Sequence, residues 1–255
     1  MAIRIKNSHE IHLMRQSGHL VQRILNELGA AVEAGVSSKD LDLTARKMLK
    51  SAGATSPFLG YKGGHKTPFP GAICTSTNQA VVHGVPTNIP LKNGDIIALD
   101  VGALYQGWIG DTAGTFAVGE ISSGAQRLLR VTREALFLGI EQAKVGNHVG
   151  DISHAIQHHI ETHGYSVVRD LVGHGVGRTL HEDPSVPNFG QRGKGDKLKA
   201  GMTIAIEPMV NAGSDEVSLL KDGWTCVAAD GSLSAHFEHT VAILSDGPEI
   251  LTTAD

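Results

Sequence analysis

Cysteine is nearly missing from these 255 residues: only Cys74 and Cys226 occur, which fits a reducing compartment better than a disulfide framework. A basic excess is missing too. The 22 Lys and Arg face 26 Asp and Glu, a formal charge of -4, so the electrostatic footprint of a general nucleic-acid binder is excluded. The start, MAIRIKNSHEIHLMRQ, holds no long apolar run, so neither a signal peptide nor a membrane anchor is expected, and a cytoplasmic protein is. No Pro/Gly/Ser stretch is long enough to be a linker and no low-complexity segment occurs, so residues 1–255 are expected to form a single domain. What remains, 41% hydrophobic and 19% charged, is an ordinary globular balance with enough apolar mass for a sizeable core.

Apolar residues Ile11, Met14, Val21, Ile24, Leu25 and Leu28 recur at helical steps, with Ser8 placed to cap the first turn. A second helix is predicted from Ser37, where Ser37 and Asp40 make a capping-box pattern and Gly53 closes the element. Two more are predicted near 123–144 and 149–163. Short β-branched runs fill the rest: AICTS, AVVHGV, DIIALDVGAL, TAGTFAV, YSVV, MTIAIEPMV and FEHTVAIL. The class is mixed α/β, and helices followed by acid-bearing strands in both halves hint at duplication, without a convincing repeat.

The informative positions are acids set in apolar strands. Asp100 follows Ile96-Ile97-Ala98-Leu99, Glu207 follows Ile204-Ala205-Ile206, and Glu238 precedes His239-Thr240-Val241-Ala242-Ile243. A carboxylate carried inward by such a strand loses hydration worth several kcal/mol unless a cation or donor compensates. Asp111 lies 11 residues after Asp100, across GALYQGWIG, which reads as a turn region able to bring the two acids side by side. Adjacent carboxylates repel, and a divalent metal is the simplest compensation. His174, in Val172-Gly173-His174-Gly175-Val176-Gly177, offers a neutral imidazole on a glycine-flanked loop. Four carboxylates and one neutral histidine carry a formal charge of -4, which two divalent cations would neutralise. Oxygen-rich sites with one imidazole suit Mn, Fe(II), Co or Zn.

The ordered set Asp100, Asp111, His174, Glu207, Glu238, within GDIIALDVG, GDTAGTF, GHGVGRTLHEDP, GMTIAIEP and EHTV, resembles type I methionine aminopeptidase over almost the entire chain. The resemblance implies a pita-bread fold: a pseudo-two-fold antiparallel sheet with helices on its outer face and a dinuclear metal centre between the halves. It also implies removal of the initiator methionine from nascent chains when the second residue is small, by a metal-activated water. Without a long insertion between the ligands or an N-terminal zinc-finger extension, the chain is similar to the short bacterial form. Carried over by residue, Asp100 would chelate one metal, Asp111 and Glu238 would bridge both, and His174 with Glu207 would complete the other. Glu207 would also move the proton. His83, in Val81-Val82-His83-Gly84, and His181, in Leu180-His181-Glu182-Asp183-Pro184, match the family's two active-site histidines outside the ligand set. Tyr61, Phe69, Cys74 and Trp224 match its methionine pocket. The sequence departs from the pattern at Phe58, often cysteine, at Phe69, a tyrosine, and at Leu180, an aromatic residue; the 63–68 stretch is a few residues longer.

The family further implies work near the ribosome, with neither a membrane nor sequence-specific nucleic acid as partner, and a monomer is expected. Since the chain begins Met1-Ala2, self-processing is expected as well. Two other readings stay open: a proline-peptide hydrolase of the same fold, and a binding module that has lost catalysis. His154, His158, His159 and His163 share one predicted helix at i, i+4 spacing, but Ala155 and Ile160 stand where H-E-x-x-H needs glutamate, so a solvated face is expected there.

Overall fold

The computed structural model describes residues 3–254, so Met1-Ala2 and the self-processing expected there lie outside the described residues. Helices α1 (Ser8–Ala30) and α2 (Ser38–Ser51) come first, then strands β1 (Cys74–Thr77), β2 (Ala80–Val82), β3 (Ile96–Tyr105) and β4 (Trp108–Ala117). Helices α3 (Ser123–Gln142) and α4 (Val149–Thr162) open the second half. After them run β5 (Ser166–Val167), β6 (Gly173–Gly175), β7 (Glu182–Val186), β8 (Thr203–Ile206), β9 (Met209–Asn211), β10 (Val217–Leu219), β11 (Cys226–Ala228), β12 (Ser234–His236), β13 (Glu238–Leu244) and β14 (Gly247–Ile250).

The main sheet is ordered β1-β3-β4-β13-β8-β6-β7, with β14 on β13, and its pairings are antiparallel. Each half thus offers two helices and then strands, and the halves join where Glu238 and His239 of β13 pair with Ala113 and Thr112 of β4. Strand alternation sorts the two faces. Ile97, Leu99, Val101 and Ala103 of β3 pack with Leu20, Val21, Ile24 and Leu28 of α1 and with Leu41 and Ala45 of α2. Ile204, Ile206, Val241 and Ile243 pack with Leu128, Leu136, Ile152 and Ile156 of α3 and α4. Each fully buried Val, Leu or Ile among them contributes about 1.5–3 kcal/mol. The helices therefore cover the outer face in both halves, and the intervening residues of β3, β4 and β13, the acids among them, point to the other side.

Local chemistry explains where the elements differ from expectation. Asn7, not Ser8, caps α1: its backbone is extended, its side chain accepts from Glu10 N, and its own N–H donates to the Glu10 carboxylate, which leaves Ser8 inside the first turn. GALYQGWIG is strand rather than a turn region, with β3 and β4 paired up to Tyr105↔Trp108. The reversal takes only Gln106 and Gly107, whose φ values of 51° and 80° give the left-handed two-residue turn whose twist suits a hairpin. MTIAIEPMV splits into β8 and β9, because Pro208 has no N–H to give the ladder. Glu207 is released just past the end of β8.

Candidate metal centre

Register brings the acids together. Asp100 of β3 lies opposite both Cys74 of β1 and Ala113 of β4, and Ala113 lies opposite Glu238 of β13, so one row crosses the sheet from Cys74 to Glu238. Asp111 pairs with Gly102, two residues along from Asp100 and on the same face. Thr240 locks that register, accepting from Asp111 N at 3.2 Å and donating to Asp111 O at 2.8 Å. From the other half, His174 Nε2 stands 3.9 Å from Asp111 Oδ2 and 3.5 Å from Glu207 Oε1. Its Nδ1–H donates to Gly175 O at 2.9 Å, which turns the lone pair of Nε2 inward. Asp111, His174 and Glu238 each present a ligand atom within 4.8 Å of the others.

Three of these acids each keep one oxygen that no protein group meets. Asp100 Oδ1, Asp111 Oδ1 and Glu238 Oε1 are buried without a hydrogen bond. Burial drives the Asp100 carboxyl up to about 7, opposed by His236 and helped by the charge of Glu207. Asp111 and Glu238 are pushed well above the usual carboxylate range, first by burial and then by the neighbouring acids. Glu207 differs: burial pushes it up, but contact with His236 and the fields of His174 and His83 hold it below its ordinary value. The same field keeps the buried Cys74 thiol protonated, through burial first and then Asp100 and Asp111.

The ligand set opens into a cavity of about 290 Å³, at the small end of the range for ligand pockets. All five acids and histidines of the expected set line it, as do His83, His181, Tyr61, Phe69, Cys74 and Trp224, and also Phe58 and Leu180. His83 follows directly on β2 with φ 58°, a left-handed backbone that a non-glycine residue adopts at a cost and that recurs at functional sites. Burial lowers its pKa to about 4, so its ring is neutral at pH 7. His181, at the mouth, is held below its ordinary value by burial and by His174, whose ring lies 4.5 Å away edge-on. Tyr61 Oη lies 2.9 Å from His181 Nδ1, and Phe69 meets Trp224 edge-on at 5.2 Å, so the apolar wall and the histidines are built as one unit.

Two neighbours escaped the sequence reading. His236 is 2% exposed and places Nε2 3.5 Å from Glu207 Oε2. Its one sequence signal is spacing, since it stands two residues before Glu238. His65, in the longer 63–68 stretch, stacks on Trp224 at 3.9 Å and donates from Nδ1 to Gly223 O at 2.7 Å, while Trp224 Nε1 donates to Thr67 O. The extra residues therefore fold back over the cavity wall.

Residues 12–245 match the family model described as metallopeptidase family M24. A methionine aminopeptidase of Clostridium perfringens is 52% identical, over 97% of this chain and 98% of its own length. The crystal structure of a methionine aminopeptidase from Rickettsia prowazekii superposes with a TM-score of 0.96 at 42% identity, covering 99% of this chain and 100% of that one. A prolidase from Pyrococcus horikoshii shares the fold alone, with a TM-score of 0.76 at 21% identity over 98% of this chain and 64% of its own.

Proposed function

This chain belongs to metallopeptidase family M24, and on that premise we propose that it is a methionine aminopeptidase, hydrolysing the peptide bond after an N-terminal methionine. The observation that carries the reading is the set of orphaned carboxylate oxygens, Asp100 Oδ1, Asp111 Oδ1 and Glu238 Oε1, facing His174 beside an aromatic pocket. Buried carboxylate oxygens without a protein partner are what a divalent cation satisfies, so these residues fit the metal use of the family. Asp100, Asp111, His174, Glu207 and Glu238, which line one cavity, are the residues that would hold the metal. Two ions, drawn from Mn, Fe(II), Co or Zn, would balance the formal charge of -4 that the four carboxylates carry. Such ions supply a Lewis acid for the scissile carbonyl and lower the pKa of an attacking water.

The rest is the work of the chain. Glu207, ionised and held by His236 and His174, takes a proton from the attacking water and returns it to the leaving amine. His83 and His181, both neutral near pH 7, hydrogen-bond the substrate amide and the developing oxyanion. Phe58, Phe69, Leu180 and Trp224, all buried, with Tyr61 and Cys74, exclude water around the methionine side chain. Residues 1–255 act as one catalytic domain, a reading supported by the sheet that runs through both halves. The substrates are nascent chains with a small second residue, met near the ribosome. Among the described residues no helix is long and apolar enough to cross a membrane.

The test is methionine release from Met-Ala-Ser by metal-free protein titrated anaerobically with Mn, Fe(II), Co and Zn, beside Xaa-Pro peptides. Metal-dependent release from Met-Ala-Ser alone supports the reading. Turnover of Xaa-Pro peptides instead, or none with any metal from folded protein, overturns it.

A further inference from the structure

The histidine-rich helix has a partner that its own sequence does not contain. His159 and His163, one turn apart at the end of α4, face Glu134 in the middle of α3. One ligand atom from each of the three lies within 4.8 Å of the other two. Glu134 supplies an acidic third donor from the neighbouring helix.

Two of the three ligands are also oriented by a second contact. His163 Nδ1–H donates to His159 O at 2.7 Å, which leaves the lone pair of Nε2 available. Arg130 Nη1 binds Glu134 Oε1 at 2.8 Å, so Oε2 is the oxygen turned toward His159 Nε2, at 3.0 Å. The two rings lie with centroids 4.4 Å apart and tilted by 49°, close enough for both to reach one ion. Arg127, the other cation nearby, is committed to His163 O at 2.7 Å and to the face of Tyr165. The second pair on the same helix, His154 and His158, stacks at 5.9 Å and gains no third ligand among the described residues.

We propose that Glu134, His159 and His163 form a divalent-metal site on the outer, helix-covered side of the protein, separate from the central cavity, and that an ion bound there clamps α4 to α3. Two imidazoles and one carboxylate are a zinc-type donor set, and the half-exposed position leaves a fourth coordination place for water. Binding replaces the proton between His159 Nε2 and Glu134, the ring taking its other neutral tautomer. Methionine release does not enter, so the proposal stands or falls apart from the catalytic reading.

The test is equilibrium dialysis of the full-length protein against buffered Zn²⁺, with metal per chain counted by mass spectrometry, for wild type and for His159→Asn/His163→Asn. Loading of the central cavity is common to both and cancels in the difference. Wild type is expected to hold one more Zn²⁺ per chain and to gain more in Tm on adding Zn²⁺, while the variant keeps its methionine release. Equal zinc content in the two folded proteins overturns the proposal. Should the double variant not fold, Glu134→Gln, which keeps the shape of the side chain, is measured instead and must lose the same ion.

Discussion

Asp42 on α2 and Asp111 on β4 are both buried, at 0% and 3% exposure, yet their surroundings differ in kind. Asp42 Oδ2 accepts from Arg46 Nε at 2.8 Å and Lys39 Nζ at 3.1 Å, and Oδ1 accepts from Ala72 N at 2.6 Å. Every lone pair that matters is used, and the acid pins α2 to the segment leading into β1. Glu182 is treated the same way, by Lys6 Nζ at 2.8 Å and by the Arg178 amide at 2.9 Å. In the central cavity, Asp100, Asp111 and Glu238 keep oxygens that nothing in the protein meets. Burial alone therefore does not distinguish a structural acid from one that awaits a ligand; the count of partners does.

The sharpest way to break that distinction is to remove an acid from each region and measure turnover. Glu207→Ala should lower kcat on the order of 10³-fold with metal saturating, the size of a lost proton-transfer group. Asp42→Asn, in protein that is folded at the assay temperature, should leave kcat as it was. Comparable losses in both would mean that the cavity acids matter only for the fold.

Next in size is a difference of sign with pH in metal-free protein. The Asp100 pKa rises from 3.8 unfolded to about 7 folded, so its favourable contribution is complete below pH 3.8 and is lost as pH rises through about 7. That amounts to a few kcal/mol. The pKa of Glu182 is lowered from 4.5 by Lys6 and backbone amides, which outweigh burial, so its contribution is present above pH 4.5 and is lost as pH falls through its folded value. His83, with a folded value of about 4 against 6.5, also loses stability as pH falls and so opposes Asp100 in the same window. The Asp100 effect is accordingly read as the difference between wild type and Asp100→Asn in urea unfolding from pH 4.5 to 8, after chelation. A difference that does not change with pH would contradict the raised carboxyl. Restoring metal should remove the upward loss, because the ion holds the acids ionised.

A smaller contrast is expected in stability at one pH. Asp42→Asn should cost about 2–3 kcal/mol, since it strips charge from two basic partners and weakens the bond to a buried amide. Asp111→Asn in metal-free protein should cost nothing or stabilise slightly, because it removes one of several repelling acids. Denaturant midpoints at constant m decide this.

The sequence showed Asp100, Glu207 and Glu238 because each adjoins an apolar β run, and Asp111 by its short spacing from Asp100, so local pattern was enough to see them. It showed less of what depends on chain reversal. GALYQGWIG looks like a turn until Gln106 and Gly107 are seen to take the whole reversal in two residues. Asn7 and Ser8 are both good capping residues, and only the backbone conformation at Asn7 decides between them. His236 was missed because its partner, Glu207, lies 29 residues earlier, just past the end of β8, with nothing local joining them. Glu134 escaped for the same reason: a third ligand from another helix leaves no mark on the spacing of His159 and His163.

The smallest effect is expected where the cavity meets no charge. Phe58 is 7% exposed and packs over Gly102, the residue opposite Asp111, where a Cβ would lie 2.9 Å from the Phe58 Cζ. That missing side chain lets the ring stand beside the acids without touching their ladder. Phe58→Cys, which installs the smaller residue common in the family, would enlarge the apolar wall and leave every acid in place. KM for Met-Ala-Ser should rise, by about 1 kcal/mol as for a lost hydrophobic contact, with kcat nearly unchanged. A fall in kcat at constant KM would instead mean that the ring positions the reacting groups, and the boundary between the apolar wall and the catalytic acids would have to be drawn on the other side of Phe58.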